Sequence, residues 1–224
     1  MPNFPKYTLS IETATQKGSI SLLKGKEEIG FWIGDSYQTL SASLLPQISS
    51  LLSAHDLTTK DLELIAVSAG PGSFTGARVG LSIAKALKTA LNVPAIAVSL
   101  PEALALSAGL TEGNIVAIIP AGRTEAYWQE FSVKTGSLTP VSPILNIKVE
   151  TPPSLNGNSA TFITTSDLKS ADKEIIENRV GNPVTIAGDG LARYIGEAAI
   201  SRYMSETAGT PDLLQAIYIK ELRS

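Results

Sequence analysis

Leu64-Ile65-Ala66-Val67-Ser68-Ala69-Gly70-Pro71-Gly72-Ser73-Phe74-Thr75-Gly76-Ala77-Arg78-Val79-Gly80-Leu81 joins an apolar, partly β-branched run to a glycine-rich loop and then to a helical pattern. Leu62 to Ser68 reads as a strand buried on both faces. Beyond the loop, Val79, Ile83, Ala86, Leu87, Ala90 and Leu91 fall on one helical stripe that closes at Asn92-Val93-Pro94. Strand, glycine loop and helix in this order form one α/β unit. Upstream, 7–12, 19–23 and 29–33 are three short strand-like runs separated by turns, the pattern of an antiparallel meander. Leu40, Leu44, Leu45, Ile48, Leu51 and Leu52 then recur at helical spacing; Pro46 should kink this helix or sit in its first turn. Downstream, 95–98 predicts a second buried strand, with Ser99 as N-cap and Pro101 in the first turn of a helix ending near Ala108.

The second half repeats the alternation. Asn114 to Ile119 and Glu125 to Val133 read as neighbouring strands. Thr135 to Ser159 reads as mostly loop with one short strand near Ile144. Phe162–Thr165, Leu168–Asn178, Val184–Ala187 and Leu191–Ala199 predict strand, helix, strand, helix, and Pro211–Ile219 a last amphipathic piece. The composition shift between Ala108 and Asn114 divides the chain into lobes of 1–108 and 109–224, with a last helix that could pack back on the first lobe.

Composition narrows the chemistry. The 224 residues are 43% hydrophobic and 17% charged with a mean hydropathy of +0.14, enough apolar material for a real core. Eighteen basic against twenty-one acidic side chains give a net charge of −3, so no global basic field draws the chain onto nucleic acid. With no cysteine and only His55, disulfides, Cys-ligated metals and His-rich zinc sites are excluded, and a metallopeptidase with them. His55, beside Asp56, is expected at the surface. No apolar stretch reaches the roughly 20 residues of a membrane span, and Met1–Lys6 lacks the pattern of a signal peptide. A soluble cytoplasmic chain is the expectation.

Two local features could hold a ligand. Gly70, Gly72 and Gly76 permit close backbone approach, and Ser73, Thr75 and the helix N-terminus could offer hydroxyls and N–H groups to a phosphate. G-x-G-x-x-x-G is one residue longer than the dinucleotide fingerprint, and no Lys-Ser/Thr pair completes a Walker A loop. The alternative is a structural strand-to-helix turn with Phe74 buried. Glu12, at a strand end beside Thr13 and Thr15, could hold a metal or a water; alternatively it is a solvated residue in an Asx/ST-type turn. Arg78 and Arg123 could clamp anions or simply close element ends. Of Tyr127 and Trp128, alternation sends one to the core. No G-x-S-x-G elbow is present to support hydrolytic catalysis.

Ile11-Glu12-Thr13-Ala14-Thr15, a helix carrying Leu44-Leu45-Pro46, the 64–81 stretch and Pro94-Ala95-Ile96-Ala97-Val98-Ser99-Leu100-Pro101-Glu102-Ala103-Leu104 together resemble the bacterial TsaB (YeaZ) family. The likeness covers about residues 7 to 130, with Ile217-Tyr218-Ile219-Lys220 resembling the family's ending. It implies an α/β, actin-like or sugar-kinase-like two-lobe fold with a ribonuclease-H-like motif in each lobe. It also implies a pseudo-enzyme: the catalytic relative TsaD holds a metal through two histidines on its first helix, a pair missing here, and Leu40 stands where family members often keep one histidine. The role implied is a non-catalytic scaffold that pairs with TsaD in forming N6-threonylcarbamoyladenosine on tRNA, through Leu44, Leu45, Ile48 and Leu52 on one helix and Ile83, Leu87 and Leu91 on another. TsaE is a further partner to consider, tRNA is met only within the complex, and a homodimer forms when the chain is alone. No tightly bound cofactor and no metal are expected, and ATP or ADP is considered only at the partner interface. Two departures stand out. The family's usual first-strand Asp is Glu12, and its second-lobe Asp-Ala-Arg is Pro120-Ala121-Gly122, with Arg123, Glu125 and Tyr127 on the positions that follow. The rival reading is a nucleotide-dependent phosphotransferase or ATPase of the same fold, using Glu12, Ser73 and Thr75 around a metal-bound phosphate.

Overall fold

The computed structural model describes residues 4–35, 37–155, 159–205, 214–217 and 219, with 37–41 described by backbone alone. The chain divides into two compact units, Met1–Ala103 with Asp189–Ile217, and Leu104–Gly188 with Tyr218–Ser224.

The first unit is built on a five-stranded sheet. Strands β1 (Tyr7–Glu12), β2 (Ser19–Lys24) and β3 (Glu27–Ile33) form the expected antiparallel meander. After helix α1 (Tyr37–Ser53), strand β4 (Leu64–Ser68) pairs parallel to β1. Helix α2 (Phe74–Leu91) leads to β5 (Ala95–Val98), parallel to β4, giving the order β3-β2-β1-β4-β5. Alternation along the strands sorts the two faces. Leu9, Ile11, Ile20, Leu22, Ile65 and Val67 pack with Leu44, Ile48 and Leu52 of α1 and with Leu81 and Ala84 of α2. Pro46 is neither in the first turn nor out of place: it sits inside α1 on an exposed side, one turn after exposed Ala42, where water can take the carbonyl that proline leaves unbonded. Helix α3 (Leu100–Ser107) begins as expected, with Ser99 Oγ accepting from Glu102 N at 3.4 Å.

The second unit carries a six-stranded sheet. Strand β6 (Gly113–Pro120) pairs antiparallel with β7 (Glu125–Lys134), from Gly113 opposite Val133 to Pro120 opposite Ala126. Both β8 (Ser137–Pro140) and β9 (Leu145–Lys148) pair with β7. The region expected to hold one strand thus holds two, because β7 is long enough to recruit both in succession. Strand β10 (Thr161–Thr164) lies parallel to β6, helix α4 (Ser170–Val180) follows, and β11 (Val184–Ile186) lies parallel to β10. Trp128 is the buried member of the aromatic pair and meets Phe162 at 5.8 Å between ring centroids, while Tyr127 is half-buried.

Helix α5 (Ala192–Ser205) corrects the expected lobe boundary, because it belongs to the first unit rather than to a 109–224 lobe. It covers the sheet face opposite α1 and α2, where β1 and β2 present small hydroxyls. Ser10 Oγ donates to Ala192 O at 2.6 Å, and Ala192 N donates to Ser19 Oγ at 3.0 Å. Arg202, near the end of α5, donates to Ala97 O at 2.7 Å and pairs with Glu102. Of the predicted piece 211–219, residues 211–213 and 218 lie outside the described residues. Residues 214–217 form neither helix nor strand; Leu214 is buried, and Ile217 N donates to Ala69 O at 2.8 Å.

Gly196 seats α5 on this sheet. A Cβ there would lie 2.5 Å from Leu23 Cδ1 and 3.0 Å from Ser10 Oγ. Alanine improves helix propensity by about 1 kcal/mol, but overpacking at such a contact costs about 1–3 kcal/mol. Gly196→Ala should therefore lower stability, by up to about 2 kcal/mol, read as a reduced midpoint in urea unfolding at unchanged slope.

Candidate functional site

The turn after β1 and the loop after β4 meet through their backbones. Glu12 is wholly buried at the end of β1. Its Oε1 accepts from Ala14 N at 2.5 Å and Thr15 N at 3.0 Å, and its Oε2 accepts from Thr15 Oγ1 at 2.6 Å. The turn was one of the two readings of the sequence, but Glu12 is not solvated in it: the carboxylate is the internal anchor of the turn. Charge-assisted bonds from three local donors offset the desolvation that burying a carboxylate costs. Both oxygens are thereby engaged within the turn.

The glycine loop packs directly on this turn. Ser73 N donates to Ala14 O at 2.8 Å, and Thr13 Oγ1 donates to Gly76 O at 2.7 Å. A Cβ on Gly72 would lie 2.5 Å from Ala14 O, one on Gly76 would overlap Thr13 O, and one on Gly80 would overlap Thr13 Oγ1. The missing side chains admit the chain's own β1–β2 turn, so the close approach expected for a phosphate is made instead by Thr13 and Ala14. Ser73 Oγ caps α2, accepting from Gly76 N at 3.1 Å. Gly70 has a φ of +80°; its N–H donates to Ser68 Oγ at 3.2 Å and its carbonyl accepts from Leu100 N at 2.7 Å. Of the predicted phosphate contacts, Glu12, Thr13, Gly72, Ser73 and Gly76 are brought together at this junction, where Thr13 bonds Gly76, Ser73 bonds Gly76 and Ala14, and Glu12 bonds Ala14 and Thr15. Thr75 stands apart, exposed in the first turn of α2.

Phe74 reverses its expected placement. It is 54% exposed, and the Arg78 guanidinium lies 3.8 Å from its ring centroid, so Arg78 is a stacking partner of an exposed aromatic. Arg123 is exposed in the β6–β7 turn. His55 is half-buried rather than at the open surface; its ring lies over Gly30 of β3, where a Cβ would collide with it. Among the described residues no group of three His, Cys, Asp or Glu could hold a metal ion.

The predicted partner-binding residues separate by burial. Leu44, Ile48 and Leu52 are core, at 0%, 2% and 2% exposure, which corrects their assignment to an interface. Ile83, Leu87 and Leu91 are half-buried and pack on the same core. Leu45 alone among the seven is exposed, at 55%. Leu44, Ile48 and Leu52 follow one another at intervals of four, a single stripe, with Leu45 about 100° off it. That offset was the available signal for Leu45. Nothing comparable marks Phe74, which periodicity places neither in nor out. Leu40 falls among the residues described by backbone alone.

Two α/β units with these strand orders form the actin-like, sugar-kinase-like class of fold. YeaZ from Pseudomonas aeruginosa superposes with a TM-score of 0.79 over 96% of this chain and 100% of that one, at 21% identity. Component A of (R)-2-hydroxyglutaryl-CoA dehydratase from Acidaminococcus fermentans gives 0.52 over 89% and 99%, at 12% identity. Both likenesses bear on fold alone. In sequence, a family model described as "TsaD: tRNA N6-adenosine threonylcarbamoyltransferase" matches residues 35–167, more than half of the chain. The tRNA threonylcarbamoyladenosine biosynthesis protein TsaB of Bacillus subtilis is 35% identical over 139 residues, 62% of this chain and 61% of that protein. Its counterpart in Escherichia coli is 32% identical over 126 residues, 55% and 54%. The chain belongs to this family, on its TsaB/YeaZ branch. It spans less than two thirds of the length of these two relatives. Among the described residues no helix is long and apolar enough to cross a membrane.

If the glycine loop exists to receive the β1–β2 turn, its glycines are structural. Gly76→Ala should destabilise the protein by about 3 kcal/mol, since its Cβ meets backbone that cannot swing aside. Glu12→Ala should cost a similar amount, roughly 2–4 kcal/mol, by leaving buried donors unpaired. Thermal unfolding followed by circular dichroism measures both; an unchanged midpoint in either variant refutes this account of the junction.

Proposed function

We propose that this chain is a non-catalytic subunit acting in the biosynthesis of N6-threonylcarbamoyladenosine on tRNA, where it pairs with TsaD. The observation that carries this reading is the closed junction of β1 with the glycine loop. In a phosphotransferase of this fold those polar groups would face a nucleotide. Here Glu12 is bound by its own turn, and Ala14 O lies where a Cβ on Gly72 would stand. Family membership and the biosynthetic role for which the relatives are named support the pathway.

A subunit of this kind works by contact, and α1 and α2 provide the material. Leu45 and Phe74 are large, apolar and exposed, and Arg78 stacks on the Phe74 ring. Aromatic residues and arginine dominate binding hot spots because they bury much surface at little entropic cost. Leu45 stands one residue from Leu44, which is fixed in the core, so the backbone beneath the contact is rigid before the partner arrives. The same surface joins two copies in a homodimer when TsaD is absent. Nucleotide enters at the joint surface with TsaD, TsaE and tRNA engage the assembled complex, and this chain holds no cofactor tightly by itself.

Size-exclusion chromatography with light scattering, on the chain alone and mixed with TsaD of the same organism, tests the reading. A heterodimer should form, and Leu45→Asp or Phe74→Asp should weaken it at least about tenfold with an unchanged unfolding midpoint, since both side chains are already in water. Leu44→Asp should instead unfold the protein. Failure to form a complex at micromolar concentration, together with ATP turnover by the isolated chain, would move the assignment to a phosphotransferase.

A further inference from the structure

The second unit contains a cavity of about 190 Å³ that the proposed function leaves unused. Register explains its floor. On one face of the β6–β7 pair, Val116 lies opposite Glu130 and Asn114 opposite Ser132, two adjacent cross-strand pairs. Leu155, Ala160 and Val141, the last 56% exposed, also line it. The cavity lies at the amino ends of parallel strands β6 and β10, away from the carboxyl-end crevice where open α/β sheets usually take their ligands.

Glu130 supplies the charge. Its backbone is fixed by the chain crossing beside it: Val141 N donates to Glu130 O at 2.9 Å, and Glu130 N donates to Ser142 Oγ at 2.9 Å. Its Oε1 accepts from the Trp128 indole N–H at 3.3 Å, and Trp128 is itself locked in the core against Phe162. The carboxylate thus has a neutral donor on Oε1 and a backbone fixed beneath it, and the indole leaves its negative charge uncompensated. Among the described residues it forms no ion pair, and no lysine or arginine lines the cavity. A lining that combines a carboxylate, two serine hydroxyls and an amide with apolar side chains selects against anions and for a cation that carries its own apolar body.

We propose that this cavity is a binding site for a small aliphatic amine in its ammonium form. The ammonium donates to the Glu130 carboxylate and to the Ser132 hydroxyl, and the hydrocarbon lies against Val116, Val141 and Leu155. The volume admits a chain of only a few carbons. A bare metal ion would leave the aliphatic walls unfilled, and a neutral alcohol would leave the carboxylate without a counter-charge.

The sequence has two tryptophans, so the indole N–H of Trp128 can be followed in a nitrogen–proton correlation spectrum with Trp32 as internal reference. The full chain is titrated with n-butylammonium chloride near neutral pH, against potassium chloride at equal ionic strength and against 1-butanol. The expected result is a saturable shift of the Trp128 indole signal with Kd of about 1–30 mM, the range open to a ligand of so few atoms, and no shift of Trp32. Glu130→Gln should weaken binding at least about tenfold, one lost ion-assisted bond. Val141→Trp, which covers the mouth from an exposed position, should abolish it. Equal shifts with 1-butanol, undiminished binding by Glu130→Gln, or no saturation by about 100 mM amine would each overturn the proposal.

Discussion

The backbone contact between the β1–β2 turn and the glycine loop organises the first unit. Ala14 O receives the Ser73 N–H, Thr13 Oγ1 reaches Gly76 O, and three glycines lack the Cβ atoms that would hold the segments apart. Because Ser73 caps α2 and Glu12 anchors the turn, a single junction sets the start of the helix, the end of the central strand and the return into β2. A bound phosphate and this turn would compete for the same backbone. That closed junction is the physical basis for the proposed reading of the chain as a subunit that acts by contact.

The rest of the first unit extends from that junction. One face of its sheet is aliphatic and receives α1 and α2; the other is lined by Ser10, Ser19 and Ser21 and receives α5. Small residues are what a close helix needs. Ala192 and Gly196 let the α5 backbone come near enough for Ser10 and Ser19 to bond its first residue. In the second unit, β7 serves as the common edge for β6, β8 and β9, and the chain crossing between β8 and β9 fixes Glu130 at the rim of a cavity. The two units thus reach rigidity differently, one through backbone contacts at glycine, the other through one long strand that aligns its neighbours.

Much of the fold was legible because its periods are strong. The meander, the strand–loop–helix of 64–91, the Ser99 cap and the strand–helix alternation after 160 are local patterns, each set by residues near one another in sequence. Strand β8 was not legible: Ser137-Leu138-Thr139-Pro140 has a loop composition and becomes a strand only because β7 offers it an edge. The site was legible as a gathering, since Glu12, Thr13, Gly72, Ser73 and Gly76 do meet. Its meaning was not. A glycine tells that something comes close, and only the tertiary structure tells that the neighbour is Thr13–Ala14 backbone.

By itself the sequence determined the fold class, the family, the exclusion of cysteine and multi-histidine chemistry, and the stripe of Leu44, Ile48 and Leu52, because composition and periodicity are properties of the chain alone. Tertiary structure decided that this stripe faces the core while Leu45 and Phe74 face water, that Glu12 closes its own turn, and that α5 returns to the first unit. The burial of Glu12 and the faces that the stripe, Leu45, Phe74 and α5 present depend on which surface each meets, and for α5 that is set by residues nearly two hundred positions away, Ser10 with Ala192.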